Sequence, residues 1–156
     1  MTINDKVFGT LYFDSRWVKD MQIDFMGKTC DIQLNVSGEE DGMFSKEQYL
    51  AYTMLMDKWQ QVNPAIVEKI WEFYIDERRV LGYDEDEDDL YPPVKTPNDI
   101  IGYIELVGIK IPYAGAFKGK RNVGLTFGCT WNEEFGVGIR LLNEEIYEVG
   151  FQHVAL

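Results

Sequence analysis

The residues of this chain that could do chemistry are a run of six acids, two cysteines and a single histidine. The run Asp84-Glu85-Asp86-Glu87-Asp88-Asp89 offers oxygen donors at the density a hard cation needs. If Asp84 is position 1 of a calcium loop, Asp89 stands where the turn glycine belongs and Lys95 where the bidentate glutamate belongs. The run is therefore not an EF-hand. Six adjacent acids repel one another unless a cationic partner neutralises them. One reading is a solvated linker that aids solubility. The other is a recognition loop for a basic protein, with Tyr83, Leu90 and Tyr91 as anchors around Asp84–Asp89.

Cys30 and Cys129 have no second ligand at zinc spacing and read as buried free thiols. A nucleophile needs an oriented base beside it, and the only histidine, His153, lies near the end of the sequence. The P-loop, dinucleotide and zinc-protease fingerprints are missing, as is G-x-S-x-G. The expectation is a protein that is not an enzyme, with no cofactor and no metal site. Glu133 and Glu134, beside Trp131 in a turn, keep a carboxylate-based hydrolase open as an alternative.

Composition bounds the rest. The 156 residues suit one domain, 1–156, with an acidic exposed loop at about 83–96; 46% are hydrophobic, enough for one core. The net charge of −12 argues against a nucleic-acid partner, which needs a basic footprint, and favours a basic protein. No apolar run approaches the ~20 residues of a membrane span. "MTINDKVFG" lacks the basic and apolar blocks of a signal peptide, so a cytoplasmic location is expected.

The elements that would position these residues follow from periodicity. Val7–Phe13 reads as a short strand. Trp17, Met21, Ile23 and Phe25 alternate with acids and amides, and Cys30, Ile32, Leu34 and Val36 do the same, with Met26-Gly27 as a tight turn between. Ser45 and Gln48 have capping-box spacing. Tyr49, Tyr52, Leu55, Met56, Trp59 and Val62 then form a helical stripe. Asn63-Pro64 reads as the end of that helix and the cap of the next, whose stripe is Ile66, Ile70, Phe73 and Tyr74 and whose stop is Gly82. After a short turn near Asn98 come strands at about Glu105–Pro112, Val123–Trp131, Phe135–Leu142 and Ile146–His153. Val123, Leu125, Phe127, Cys129 and Trp131 are bulky, while Gly124, Thr126, Gly128 and Thr130 are small. The next strand repeats the contrast, with Gly136 and Gly138 on its small side. The predicted fold is α+β: a two-layer domain, a largely antiparallel sheet packed through its bulky face on an antiparallel helix pair. The small face is expected to be flat and solvated, either an ordinary surface or a platform for a partner.

The closing segment "GLTFGCTWNEEFGVGIRLLNEEIYEVGFQHVAL" resembles a group of small uncharacterised bacterial cytosolic proteins, some encoded beside polymorphic or contact-dependent toxins. The resemblance rests on the Trp131-Asn132-Glu133-Glu134 turn, on Gly136 followed by alternating aliphatics, and on Gly150. Those proteins often carry His-Gly where this chain has Phe135-Gly136, so no histidine role carries over. The resemblance implies immunity: binding and neutralising a co-encoded toxin, such as a basic nuclease, without chemistry. A general acidic adaptor is the alternative within the same class.

Overall fold

The first third of the chain folds as a succession of hairpins, with two departures from its expected pattern: Val7 and Phe8 lie in a turn, and Thr2–Asp5 adds a strand before them. The computed structural model describes residues 1–83 and 89–156. Strands β1 (Thr2–Asp5), β2 (Gly9–Phe13), β3 (Trp17–Phe25) and β4 (Lys28–Val36) pair antiparallel in sequence order. Asp5 closes the first turn by accepting from the Val7 and Phe8 amides, each at 2.8 Å, and so turns Phe8 fully inward. Met26 (φ 50°) and Gly27 (φ 83°) close the two-residue loop between β3 and β4. Positive φ at both positions gives the turn whose twist matches the flanking strands.

Helix α1 (Lys46–Val80) follows. Ser45 Oγ accepts from the Gln48 amide at 3.2 Å and Gln48 Oε1 accepts from the Ser45 amide at 3.0 Å, completing the capping box. At the far end the Tyr83 amide reaches the Arg78 carbonyl (2.9 Å) and the Gly82 amide the Arg79 carbonyl (3.1 Å), with Gly82 at φ 84°. This is the Schellman closure that a glycine permits.

The expected helix pair is not there: α1 is one helix of 35 residues, with Pro64 inside it. The α+β arrangement of a sheet on an antiparallel helix pair is therefore corrected to a sheet on a single long helix. Leu55, Trp59, Val62, Ile66, Ile70 and Tyr74 form one unbroken buried stripe through the proline, and breaking the helix would have split it. Pro64 and Gln60, whose carbonyl loses its amide partner, are both exposed, so water can satisfy that carbonyl and the usual cost of an interior proline is reduced. Asn63 caps nothing. It is buried, and with its amide nitrogen turned to the Trp59 carbonyl the two lie 3.0 Å apart.

A 3-10 turn, Pro97–Tyr103, then leads into β5 (Ile104–Ile111), β6 (Asn122–Cys129), β7 (Val137–Leu142) and β8 (Glu145–Gly150). The eight strands make one sheet whose spatial order is the sequence order. Every pairing is antiparallel except β4 with β5, where α1 forms the crossover between parallel neighbours. The core lies between α1 and the bulky face, where Leu34, Leu106, Leu125, Phe127 and Ile139 are fully buried. Trp131 joins it, 2% exposed, with its ring 4.6 Å from that of Tyr74.

The small face is not solvated over β6 and β7. A second 3-10 turn, Gln152–Ala155, lies back across it. A Cβ at Gly124 would stand 2.0 Å from the Ala155 carbonyl oxygen, and one at Gly138 would stand 2.5 Å from that of Phe151. The glycines are there because another backbone crosses them. That half of the expected platform is closed by the chain itself, and His153 is exposed on the closing turn rather than on a strand.

Candidate functional site

The last three turns of α1 hold the segment that follows the acidic run. Arg78 Nε donates to the Tyr91 carbonyl at 2.8 Å, Trp71 Nε1 to the Val94 carbonyl at 2.8 Å, and the Tyr74 hydroxyl to the Pro92 carbonyl. Tyr74 and Arg78 continue the helix stripe at four-residue steps, so the sequence contained the signal that this end faces inward. The rings extend the connection. Tyr83 stacks on Tyr91 at 5.3 Å, Tyr91 on Tyr74 at 6.2 Å, and Tyr74 meets Trp131. A continuous aromatic ladder thus runs from the start of the acidic segment to the turn that carries Glu133 and Glu134.

The residues singled out from sequence fall in two groups. Asp84, Glu85, Asp86, Glu87 and Asp88 lie outside the described residues. Of their flanks, Tyr83 is half-buried and Tyr91 is 9% exposed within the core, while Asp89 is exposed and Leu90 is 53% exposed. The two tyrosines clasp each other instead of standing out as separate anchors. Leu90 is the flanking apolar side chain on the surface.

Close by, at the ends of β4, β5 and β6, lies a cleft of about 420 Å³ whose lining includes Lys28, Cys30, Tyr103, Glu105, Cys129 and Glu133. Lys28 Nζ is spent on the Ile101 and Ile104 carbonyls at 2.8 and 2.6 Å, fastening the 3-10 turn to β4. Burial pushes the Cys129 thiol up to about 11, against the weaker pull of the Asn132 and Trp131 backbone, and burial also raises Cys30. Both therefore stay protonated near neutral pH, the reverse of what an activated nucleophile needs. Glu133 reaches the cleft with Glu105, whereas Glu134 does not line it. The pair read from sequence is not brought together there. Among the described residues no three His, Cys, Asp or Glu side chains gather as metal ligands.

At the opposite side of α1, the turn between β7 and β8 carries an ionic cluster that sequence reasoning missed. Glu144 is buried and takes Arg121 through Nε (2.6 Å) and Nη2 (2.8 Å), with Lys58 Nζ at 3.5 Å. Burial alone would raise its carboxyl, but the Arg121 hydrogen bond and charge, aided by Lys58, outweigh that and hold it below the usual range.

Architecture and site together define a mixed helix-and-sheet domain whose single crossover helix ends in a bolted, acid-flanked segment. The chain belongs to the family described as a domain of unknown function, DUF6985, whose model matches residues 7–156. No curated protein and no solved structure matches it significantly. No helix among the described residues is long and apolar enough to cross a membrane.

Proposed function

We propose that this chain is a non-catalytic binding protein that neutralises a basic protein by direct contact, as an immunity protein acts on a co-encoded toxin in the bacterial cytoplasm. The observation that carries the reading is the fastening of both flanks of the acidic run, through the Tyr83–Tyr91 stack and the bonds from Trp71, Tyr74 and Arg78. A linker that only aided solubility would need no such base. Six adjacent acids in the sequence repel one another, a cost that a cationic partner would offset. The chain's net charge of −12 would speed encounter with a basic nuclease.

The experiment uses the product of the neighbouring gene as partner. Its association with the wild type and with a variant carrying Asn or Gln at all of Asp84–Asp89 is followed by biosensor across a salt series. Slower association and a flatter salt slope in the variant are expected, with thermal stability unchanged or slightly higher. Equal rates and slopes would reduce the run to a solvated linker.

A further inference from the structure

On the outer face of the sheet, away from α1, one row runs against the charge of the whole chain. Across the register Val18 of β3 faces Asn35 of β4, Asn35 faces Lys110 of β5, Lys110 faces Gly124 of β6, and Gly124 faces Arg140 of β7. Arg16 Nε donates to Asn35 Oδ1 at 2.6 Å, which sets its guanidinium over β4 beside Lys110. Arg140 is 5% exposed and is held by Asn122 Oδ1 at 2.7 Å and by the Val154 and Leu156 carbonyls at 3.2 and 2.8 Å. Three cations therefore converge in a protein of net charge −12.

None of the three is in an ion pair among the described residues. Glu148, opposite Arg140 on β8, is the acid that acts on that arginine. Lys110 stands on β5 in the same row. Its ammonium is pushed below the ordinary range by burial first, and then by the Arg16 and Arg140 charges. Gly124 carries no side chain, and the Ala155 backbone of the closing turn fills the space over it between Lys110 and Arg140, whose Cα atoms are roughly 10 Å apart at ordinary strand spacing. Glu148 and the Leu156 oxygen offset Arg140, but Arg16 and Lys110 are in no ion pair among the described residues, and like charges held that close become favourable neighbours once an anion enters.

We propose that Arg16 and Lys110, backed by the buried Arg140, form a binding site for a phosphate group on the outer face of the sheet. A phosphate monoester carries about 1.5 to 2 negative charges and three strong acceptor oxygens. It can take the Arg16 fork and the Lys110 ammonium together, whereas a carboxylate supplies one charge and two oxygens for the same cations. The proposal is independent of the acidic run and of any toxin.

The test is thermal denaturation of the full chain against increasing inorganic phosphate, with chloride adjusted to constant ionic strength. Parallel series use glycerol 3-phosphate and vesicles of phosphatidylcholine with phosphatidic acid, which separate a soluble phosphate from a lipid headgroup. Wild type is expected to show a saturable rise in Tm, or vesicle binding if the source is a headgroup. K110Q and R16Q should each weaken the response by roughly tenfold to a hundredfold, as the loss of a charged hydrogen bond does. In phosphate-free buffer K110Q should melt at or above the wild-type temperature, since it removes repulsion, and this confirms that the variant is folded. A flat response to all three probes, as an anion supplied by the chain itself would give, overturns the site. So does an equal response in wild type and K110Q.

Discussion

Replacing Gly124 with alanine tests why the small face of β6 is small. The added Cβ would lie 2.0 Å from the Ala155 carbonyl oxygen and 2.9 Å from its carbon. Both are backbone atoms, so no rotamer change relieves the clash, and the closing turn must lift. Lifting it withdraws the Val154 and Leu156 carbonyls from Arg140 and uncovers Ala155, now 1% exposed. Hydrogen bonds to a charged group are worth ~1.5–3 kcal/mol each, but a released guanidinium regains water. Forced overpacking alone costs ~1–3 kcal/mol. Together these set the expected loss at ~2–4 kcal/mol by urea denaturation, with faster amide exchange at Val154 and Leu156, whose amides bond within the turn. Gly128, on the same face four residues along, has nothing within 4 Å of its Cβ position. Gly128→Ala should therefore be neutral or stabilising by up to ~1 kcal/mol. A Gly124→Ala loss no larger than that of Gly128→Ala, with exchange unchanged, would refute the docking of the turn.

The Glu144 cluster predicts a pH dependence. Its carboxyl sits below its unfolded value near 4.3, so its contribution is present above that pH and fades as the pH falls through the lower folded value. Glu144→Gln should cost about 1–2 kcal/mol at pH 7, and the gap to wild type should close below about pH 4; a gap constant from pH 3 to 7 would assign the loss to packing. Cys30 and Cys129, buried and raised in pKa, should react with a thiol reagent at pH 8 only as fast as the chain opens. Labelling that outpaces opening measured by amide exchange would place a thiolate at the surface.

Where one local interaction decides an outcome, the sequence was legible. Met26-Gly27, the Ser45–Gln48 box and Gly82 each fix their own backbone through φ or one capping bond, and each stands where periodicity placed it. Asn63-Pro64 failed because capping preference is worth about 1 kcal/mol, while the stripe from Leu55 to Ile70 buries several large side chains at ~1.5–3 kcal/mol each. Tertiary burial overrode the local stop. The small face reads as low in side-chain cover but also as solvated, and what covers it comes from residues 151–156, the first three of which read as the end of the last strand. Tyr83 and Tyr91 illustrate the same limit: spacing marks them as flanking aromatics, and only the fold shows them clasping each other. The Glu144 cluster joins Lys58, Arg121 and a turn, positions far apart in sequence with no shared periodicity.

The strand order has a consequence for how the chain finds its shape. Six of the seven strand pairings are hairpins or short returns that close within a local stretch, and the pairing of β4 with β5 alone spans α1 and the segment after it. Closing that large loop carries most of the entropic cost of the topology. Two meanders can therefore form early and separately, each with one edge, β4 or β5, that only the other meander covers. The slow, committing event is the zipping of Gln33–Val36 against Gly108–Ile111. Until it is done, the two most hydrophobic edges of the molecule stay open to pairing with another chain, which makes this seam the place where misassembly would begin.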